Sequence, residues 1–77
     1  MARAIFKLKS EELAEVDAKL TGIRAVDRTF KYGIVEAYDG SGYILTIFAS
    51  DKDEAHKRAL WLRSKVFNNE KWYVVRD

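Results

Sequence analysis

The chain contains no cysteine, which excludes a disulfide framework and any thiolate metal site and suits a reducing compartment. No apolar run approaches the length of a membrane span. The N-terminus lacks the apolar core of a signal peptide, so a soluble, cytoplasmic protein with no membrane partner is expected. Internal repeats, low-complexity tracts and linkers are also missing. Charge of one sign is scarce: the net charge of +2 is compatible with nucleic acid without demanding it. What remains is a chain of 77 residues, enough for one domain (1–77) with a single two-layer core. With 48% apolar and 34% charged residues it is globular rather than disordered.

Residues that do chemistry are few. The single histidine, His56, lies three positions after Asp53 in a helical pattern, the setting of a solvated helix histidine. Asp51, Asp53 and Glu54 cluster at a helix start, where carboxylates match the positive end of the helix dipole without any metal. None of Ser10, Ser41, Ser50 and Ser64 sits in the context of an activated nucleophile. The glycine-rich Asp39-Gly40-Ser41-Gly42 opens a strand, so it lacks the helix N-terminus on which phosphate loops depend. A non-enzymatic protein is expected, with no catalytic residue, no metal, no cofactor and no small-molecule substrate.

The stretch from Phe30 to Ser50 reads as a β-hairpin turning at Asp39–Gly42, because two runs rich in β-branched and aromatic residues flank glycines that permit positive φ. A tight turn pairs Tyr38 with Tyr43 and Gly33 with Phe48. One face then carries Tyr32, Ile34, Glu36, Tyr38, Tyr43, Leu45, Ile47 and Ala49; the other carries Gly33, Val35, Ala37, Ile44, Thr46 and Phe48. Both faces are largely apolar. A ribbon greasy on two sides is either covered twice or presents a contact surface, and this chain is too short to cover it twice.

The rest of the chain supplies a strand, two helices and a last strand. Arg3 to Lys9 alternates, with Ala4, Phe6 and Leu8 on one side and Arg3, Ile5, Lys7 and Lys9 on the other. Ser10 is expected to cap a helix that buries Leu13, Val16 and Leu20 and stops at Gly22, with Ile23 and Val26 in the link that follows tucked against the core. Ser50 or Asp51 caps a second helix, whose seam is Ala55, Ala59, Leu62 and Val66; Trp61 projects off that seam and is expected to be exposed. Asn68 and Asn69 end it, and Lys71 to Asp77 forms the last strand.

The order strand, helix, strand, strand, helix, strand, with right-handed crossovers, gives an α+β, ferredoxin-like βαββαβ plait. Its four-stranded antiparallel sheet has the first and third strands in the centre and both helices on one face. The first strand turns Arg3, Ile5 and Lys7 to the open face. Tyrosine hydroxyls and Glu36 favour water, which places Tyr32, Tyr38, Tyr43, Leu45 and Ile47 on the open face with them and Val35, Ala37, Ile44 and Phe48 inside.

Ser41 to Phe48, SGYILTIF, resembles the longer ribonucleoprotein motif of RNA-recognition-motif domains, with Gly42, Tyr43 and Phe48 at matching positions, and the resemblance extends over residues 41–75. Leu45 stands where the family has a second stacking aromatic, and the first strand brings Ile5 and Lys7 outward instead of an aromatic. The resemblance implies single-stranded RNA as ligand, with Tyr43 stacking a base and Arg3, Lys7 and Lys9 meeting phosphates. The aliphatic content of the patch points instead to protein contact, either with a partner that the domain regulates or inhibits or with a second copy as a homodimer, through the sheet face or an edge strand. Trp61 adds a separate contact point on the helical side. A designed plait with no function would carry the same pattern.

Overall fold

The computed structural model describes all 77 residues and contains four strands and two helices. The strands are β1 (Ala2–Leu8), β2 (Lys31–Glu36), β3 (Tyr43–Ala49) and β4 (Tyr73–Arg76); the helices are α1 (Leu13–Val26) and α2 (Lys52–Lys65). The sheet order is β2-β3-β1-β4 and every neighbouring pair is antiparallel, so the chain has the ferredoxin-like plait that its element order implies.

Strict alternation in β1 fixes the inner side. Ala2, Ala4, Phe6 and Leu8 are buried, and pairing carries that face onto Ala49, Ile47, Leu45 and Tyr43 of β3 and onto Tyr73 and Val75 of β4. Helix α2 lies over β1, β3 and β4 with Ala55, Ala59 and Leu62 inward, followed by the buried Val66 and Phe67. Two alanines on that seam let the helix approach the sheet closely. Phe6 fills the space between layers and meets Phe67 and Tyr73 at ring distances of 5.0 and 5.5 Å. Helix α1 contributes Val16 and Leu20, with Leu13 and Ile23 half-buried beside them. No polar or charged side chain is buried.

The helix ends show where local chemistry acts. Asp51 caps α2 by accepting from the Glu54 backbone N–H at 2.8 Å, as its spacing implies. Asn68 and Asn69 stop the chain after α2 at φ of 53° and 62°, the left-handed region that asparagine tolerates better than most residues.

The start of α1 differs from expectation. Ser10 opens a single 3-10 turn (Ser10–Glu12), in which the Lys9 N–H donates to the Glu12 carboxylate at 2.7 Å; Ser10 makes no capping bond. Burial works to raise the Glu12 pKa, but Lys71 and the Lys9 N–H outweigh it and hold the carboxyl below its ordinary value.

Gly22 does not end α1. The helix continues to Val26 and stops at Asp27, whose carboxylate takes the Thr29 N–H at 2.9 Å and hydroxyl at 2.6 Å. A glycine one residue before Ile23 costs the helix less than Ile23 gains by packing on the core, and that packing extends the helix. The extension carries Val26 outward, where it is 88% exposed instead of tucked in.

The hairpin register is also shifted. Glu36, not Tyr38, lies opposite Tyr43, and Gly33 faces Thr46 rather than Phe48. A loop of six residues (37–42) replaces the tight turn, closed by the Ala37 N–H on the Gly42 carbonyl at 2.8 Å and the Gly40 N–H on the Ala37 carbonyl at 2.9 Å. Gly42, at φ 141°, is pinned by β1. A Cβ there would stand 2.3 Å from the Leu8 carbonyl oxygen.

These environments separate two glycines. Gly42→Ala is expected to destabilise the fold by about 2 kcal/mol or more, whereas Gly22→Ala, with nothing within 4 Å, raises the thermal midpoint by about 4 °C. Thermal denaturation of the two variants checks both signs. Because the folded-state pKa of Glu12 lies below the ordinary 4.5, its contribution is present above pH 4.5 and is lost as pH falls through the folded value. Glu12→Gln is therefore expected to lose about 1 kcal/mol at neutral pH and to flatten the acid-side decline in stability below pH 4.5, as read by urea titrations across pH.

Candidate functional site

Helix α2 packs on one side of the sheet, and Val16 and Leu20 of α1 join the same core, so the other side is open and the strand register defines what it carries. At one end a row crosses all four strands: Lys31 on β2, Phe48 on β3, Arg3 on β1 and Arg76 on β4. The next row is Gly33, Thr46, Ile5 and Val74. The third is Val35, Ile44 and Lys7. The Phe48 ring leans over the bare backbone of Gly33, with its Cε2 3.8 Å from where a Cβ would stand. Glycine and threonine keep the middle of the face low, leaving a shallow floor with ridges of isoleucine and valine.

The charge on this face has one sign. Arg3, Lys7, Lys31 and Arg76 are exposed, none of them is in an ion pair, and no strand residue of the face is acidic. One nearby acid is Asp39 in the β2–β3 loop. The Ser41 hydroxyl and backbone N–H hold its carboxyl below the usual range, and the charge of Lys7 adds to the effect. It partly offsets Lys7; at the far end Glu54, already held by the Ser50 hydroxyl and the Arg58 guanidinium, borders the same hollow as Lys31 and Phe48.

The structure divides the residues expected at the site. Arg3, Ile5 and Lys7 are on the open face, and Tyr38 is fully exposed in the loop beyond β2. Tyr32, Tyr43, Leu45 and Ile47 are not on it. Leu45 and Ile47 are completely buried beneath the helices, and Tyr32 and Tyr43 pack against the same core. The expectation that Val35, Ile44 and Phe48 lie inside is reversed with them; Val35 is 61% exposed. The reason lies in what a tyrosine needs. Its ring is buried while its hydroxyl stays at the rim: Tyr32 reaches Thr21 at 3.2 Å and Asp17 at 3.4 Å on α1, so it satisfies the hydroxyl without leaving the core side.

Missed by sequence reasoning were Lys31, Val35, Ile44, Thr46, Phe48, Val74 and Arg76. A signal was available in Thr46, a hydroxyl in mid-strand on the same face as Lys31, since a buried threonine there would need a partner that no neighbouring strand supplies. The motif that resembles RNA-recognition domains is affected in the same way. Tyr43 points to the helices, and the aromatic ring of the open face is Phe48.

Trp61 is half exposed, as its position on α2 implies, and lies on the helical side away from this face. It borders a groove of ≈ 450 Å³ with Ile23, Val26, Phe30, Lys57 and Arg58. The other candidate groups are engaged locally. Tyr73 shares a hydrogen bond of 2.8 Å with His56 Nδ1, while Glu54 takes the Ser50 hydroxyl at 2.6 Å and the Arg58 guanidinium at 3.0 Å. No three histidine, aspartate or glutamate side chains come close enough to hold a metal ion. No helix is long and apolar enough to cross a membrane.

No protein-family model matches the chain, and comparison with curated proteins and with solved structures returned no match.

The two faces of β3 are distinguishable by substitution. Leu45→Lys places an unpaired charge in the core and is expected to cost on the order of 4 kcal/mol or more, comparable with the roughly 4 to 12 kcal/mol typical of a chain this size. Phe48→Lys, on the open side, is expected to cost about 1 kcal/mol. Circular dichroism of the two variants checks the assignment: an unfolded Phe48→Lys beside a folded Leu45→Lys would reverse it.

Proposed function

We propose that this protein is a non-catalytic binding module that works through the open face of its sheet, and that the partner is another protein presenting carboxylates around an apolar patch. The observation that carries this reading is the combination of four unpaired cations with an aliphatic floor on one face that lacks acidic strand residues. Ile5, Ile44, Val35 and Val74 supply apolar area. Arg3, Lys7, Lys31 and Arg76 select the sign of the partner and speed encounter. A small domain that occupies such a patch on another protein acts as a regulator or inhibitor by exclusion. Face-to-face pairing of two copies is disfavoured, because it sets four cations against four cations.

One observation favours a second reading, a single-stranded nucleic acid. The row Lys31, Phe48, Arg3, Arg76 sets one ring among three cations, an arrangement that holds a base and its flanking phosphates. The floor beside it, however, is aliphatic and offers no second stacking ring.

Salt dependence separates the readings. Four phosphate contacts to a single strand predict an affinity that falls about 50-fold between 50 and 200 mM salt; the protein reading predicts no such complex with single-stranded RNA by fluorescence anisotropy. In affinity capture from the source cells, Arg3→Glu, Lys31→Glu and Phe48→Ala are expected to lose the same partner protein that Trp61→Ala retains. Retention by all three face variants would refute the assignment of the surface, and a steeply salt-dependent RNA complex lost in Phe48→Ala would replace the protein partner with nucleic acid.

A further inference from the structure

The cations of the open face are ordered by the strand register. Arg76, Arg3 and Lys31 share one row, on β4, β1 and β2, and the place between Arg3 and Lys31 belongs to Phe48 of β3. Across the strands the row reads cation, cation, ring, cation. Beside it, further along the strands, lie the aliphatic side chains Ile5, Val74, Val35 and Ile44 with the low Gly33 and Thr46. Lys7 stands apart from the row and is partly offset by Asp39. None of the three cations in the row is in an ion pair, and the Glu54 that borders Lys31 is already held by Ser50 and Arg58.

This face offers an occupant side chains and no free backbone. β1 and β3 are each paired on both sides, so their N–H and C=O groups are engaged in the ladders. An extended segment laid on the aliphatic rows would lose water from its own backbone without replacing those hydrogen bonds, whereas an α-helix arrives with its backbone paired internally.

The spacing of the row also matches a helix lying across the strands. Neighbouring strands are about 4.8 Å apart and successive helical turns about 5.4 Å. Four turns therefore span four strands with an accumulated offset of about 2 Å, which long lysine and arginine side chains absorb. Adjacent rows are separated by about 6.7 Å, and a helix with its side chains is about 10 to 12 Å wide. Seated over the aliphatic rows, it reaches the cation row with one flank.

Neither helix of this chain carries the complementary pattern. On α1, Glu15 and Asp17 are followed by Lys19 and Arg24; on α2, Asp53 and Glu54 are followed by Lys57 and Arg58. A second copy does not supply the occupant.

Taking the open face as the docking surface, we infer that what docks there is an amphipathic α-helix of another protein, laid across the strands. Its apolar stripe rests on Ile5, Val35, Ile44 and Val74. One flank carries acidic residues on the turns over β4, β1 and β2 and an apolar residue on the turn over β3, where Phe48 lies.

The probe is a synthetic alanine-based peptide of about 15 residues, with leucines along the stripe and, on one flank, glutamate on the first, second and fourth turns and leucine on the third. Circular dichroism verifies that it is helical. Fluorescence anisotropy is expected to give a Kd on the order of 100 μM. Moving the glutamates to the face opposite the leucine stripe is expected to weaken binding about tenfold, and a central proline that abolishes the helix is expected to remove it. Arg3→Glu weakens binding of the original peptide, and lysine in place of its second-turn glutamate restores it. The inference is overturned by no binding up to about 1 mM, by equal binding of the proline peptide, by indifference to where the glutamates sit, or by a charge exchange that restores nothing. If Arg3→Glu and Lys31→Glu still lose the captured partner while the helical peptide fails, the face remains the docking surface and the helix alone is refuted; if those variants keep the partner, the face is refuted and the helix with it.

Discussion

The pairing of β1 with β3 is the constraint from which the other placements follow. An antiparallel ladder forces opposed residues onto the same face, and β1 has only one face that belongs in a core, Ala2, Ala4, Phe6 and Leu8. Once β3 lies beside it, Tyr43, Leu45, Ile47 and Ala49 go in and Ile44, Thr46 and Phe48 come out, whatever their individual preferences. β2 inherits the choice through β3, and β4 inherits it through β1. Gly42 secures the register at the point where the chain enters β3, by letting the backbone pass against the Leu8 carbonyl.

The same ladder sorts charge. Acidic side chains cluster at helix starts and loops, where Asp51 and Glu54 serve α2, Asp27 closes the end of α1 and Asp39 orders the hairpin loop. The charged strand residues of the open face are all cations. A nearly neutral chain thus presents a face of distinct sign, and net charge alone conceals it. The helical side is different in kind. There an apolar groove beside Trp61 is rimmed by Lys57 and by an Arg58 already committed to Glu54 and Thr29.

Much of the architecture was legible in the residues. Alternation in β1, the seam Ala55–Ala59–Leu62–Val66 and the Asp51 cap each have a local physical cause, so element order and sheet topology follow from them. The candidate site was less legible, because its composition depends on which side of β3 is covered. That is a tertiary matter: both sides of the ribbon are apolar, and the preference of tyrosine for water is met at a rim as well as on an open surface. Thr46 and Lys31 carried the discriminating signal, and the tyrosines outweighed it. The stop assigned to Gly22 failed for a related reason, since a helix's end is set by what its next turn can bury, and Ile23 had somewhere to go.

A core with no buried polar side chain has no hydrogen bond that its interior residues must preserve. Aliphatic exchanges that conserve volume at Leu20, Leu45, Ile47 or Leu62 leave such an interior intact. Descendants of this chain are therefore free to drift far apart in their hidden residues while the plait itself stays recognisable by shape.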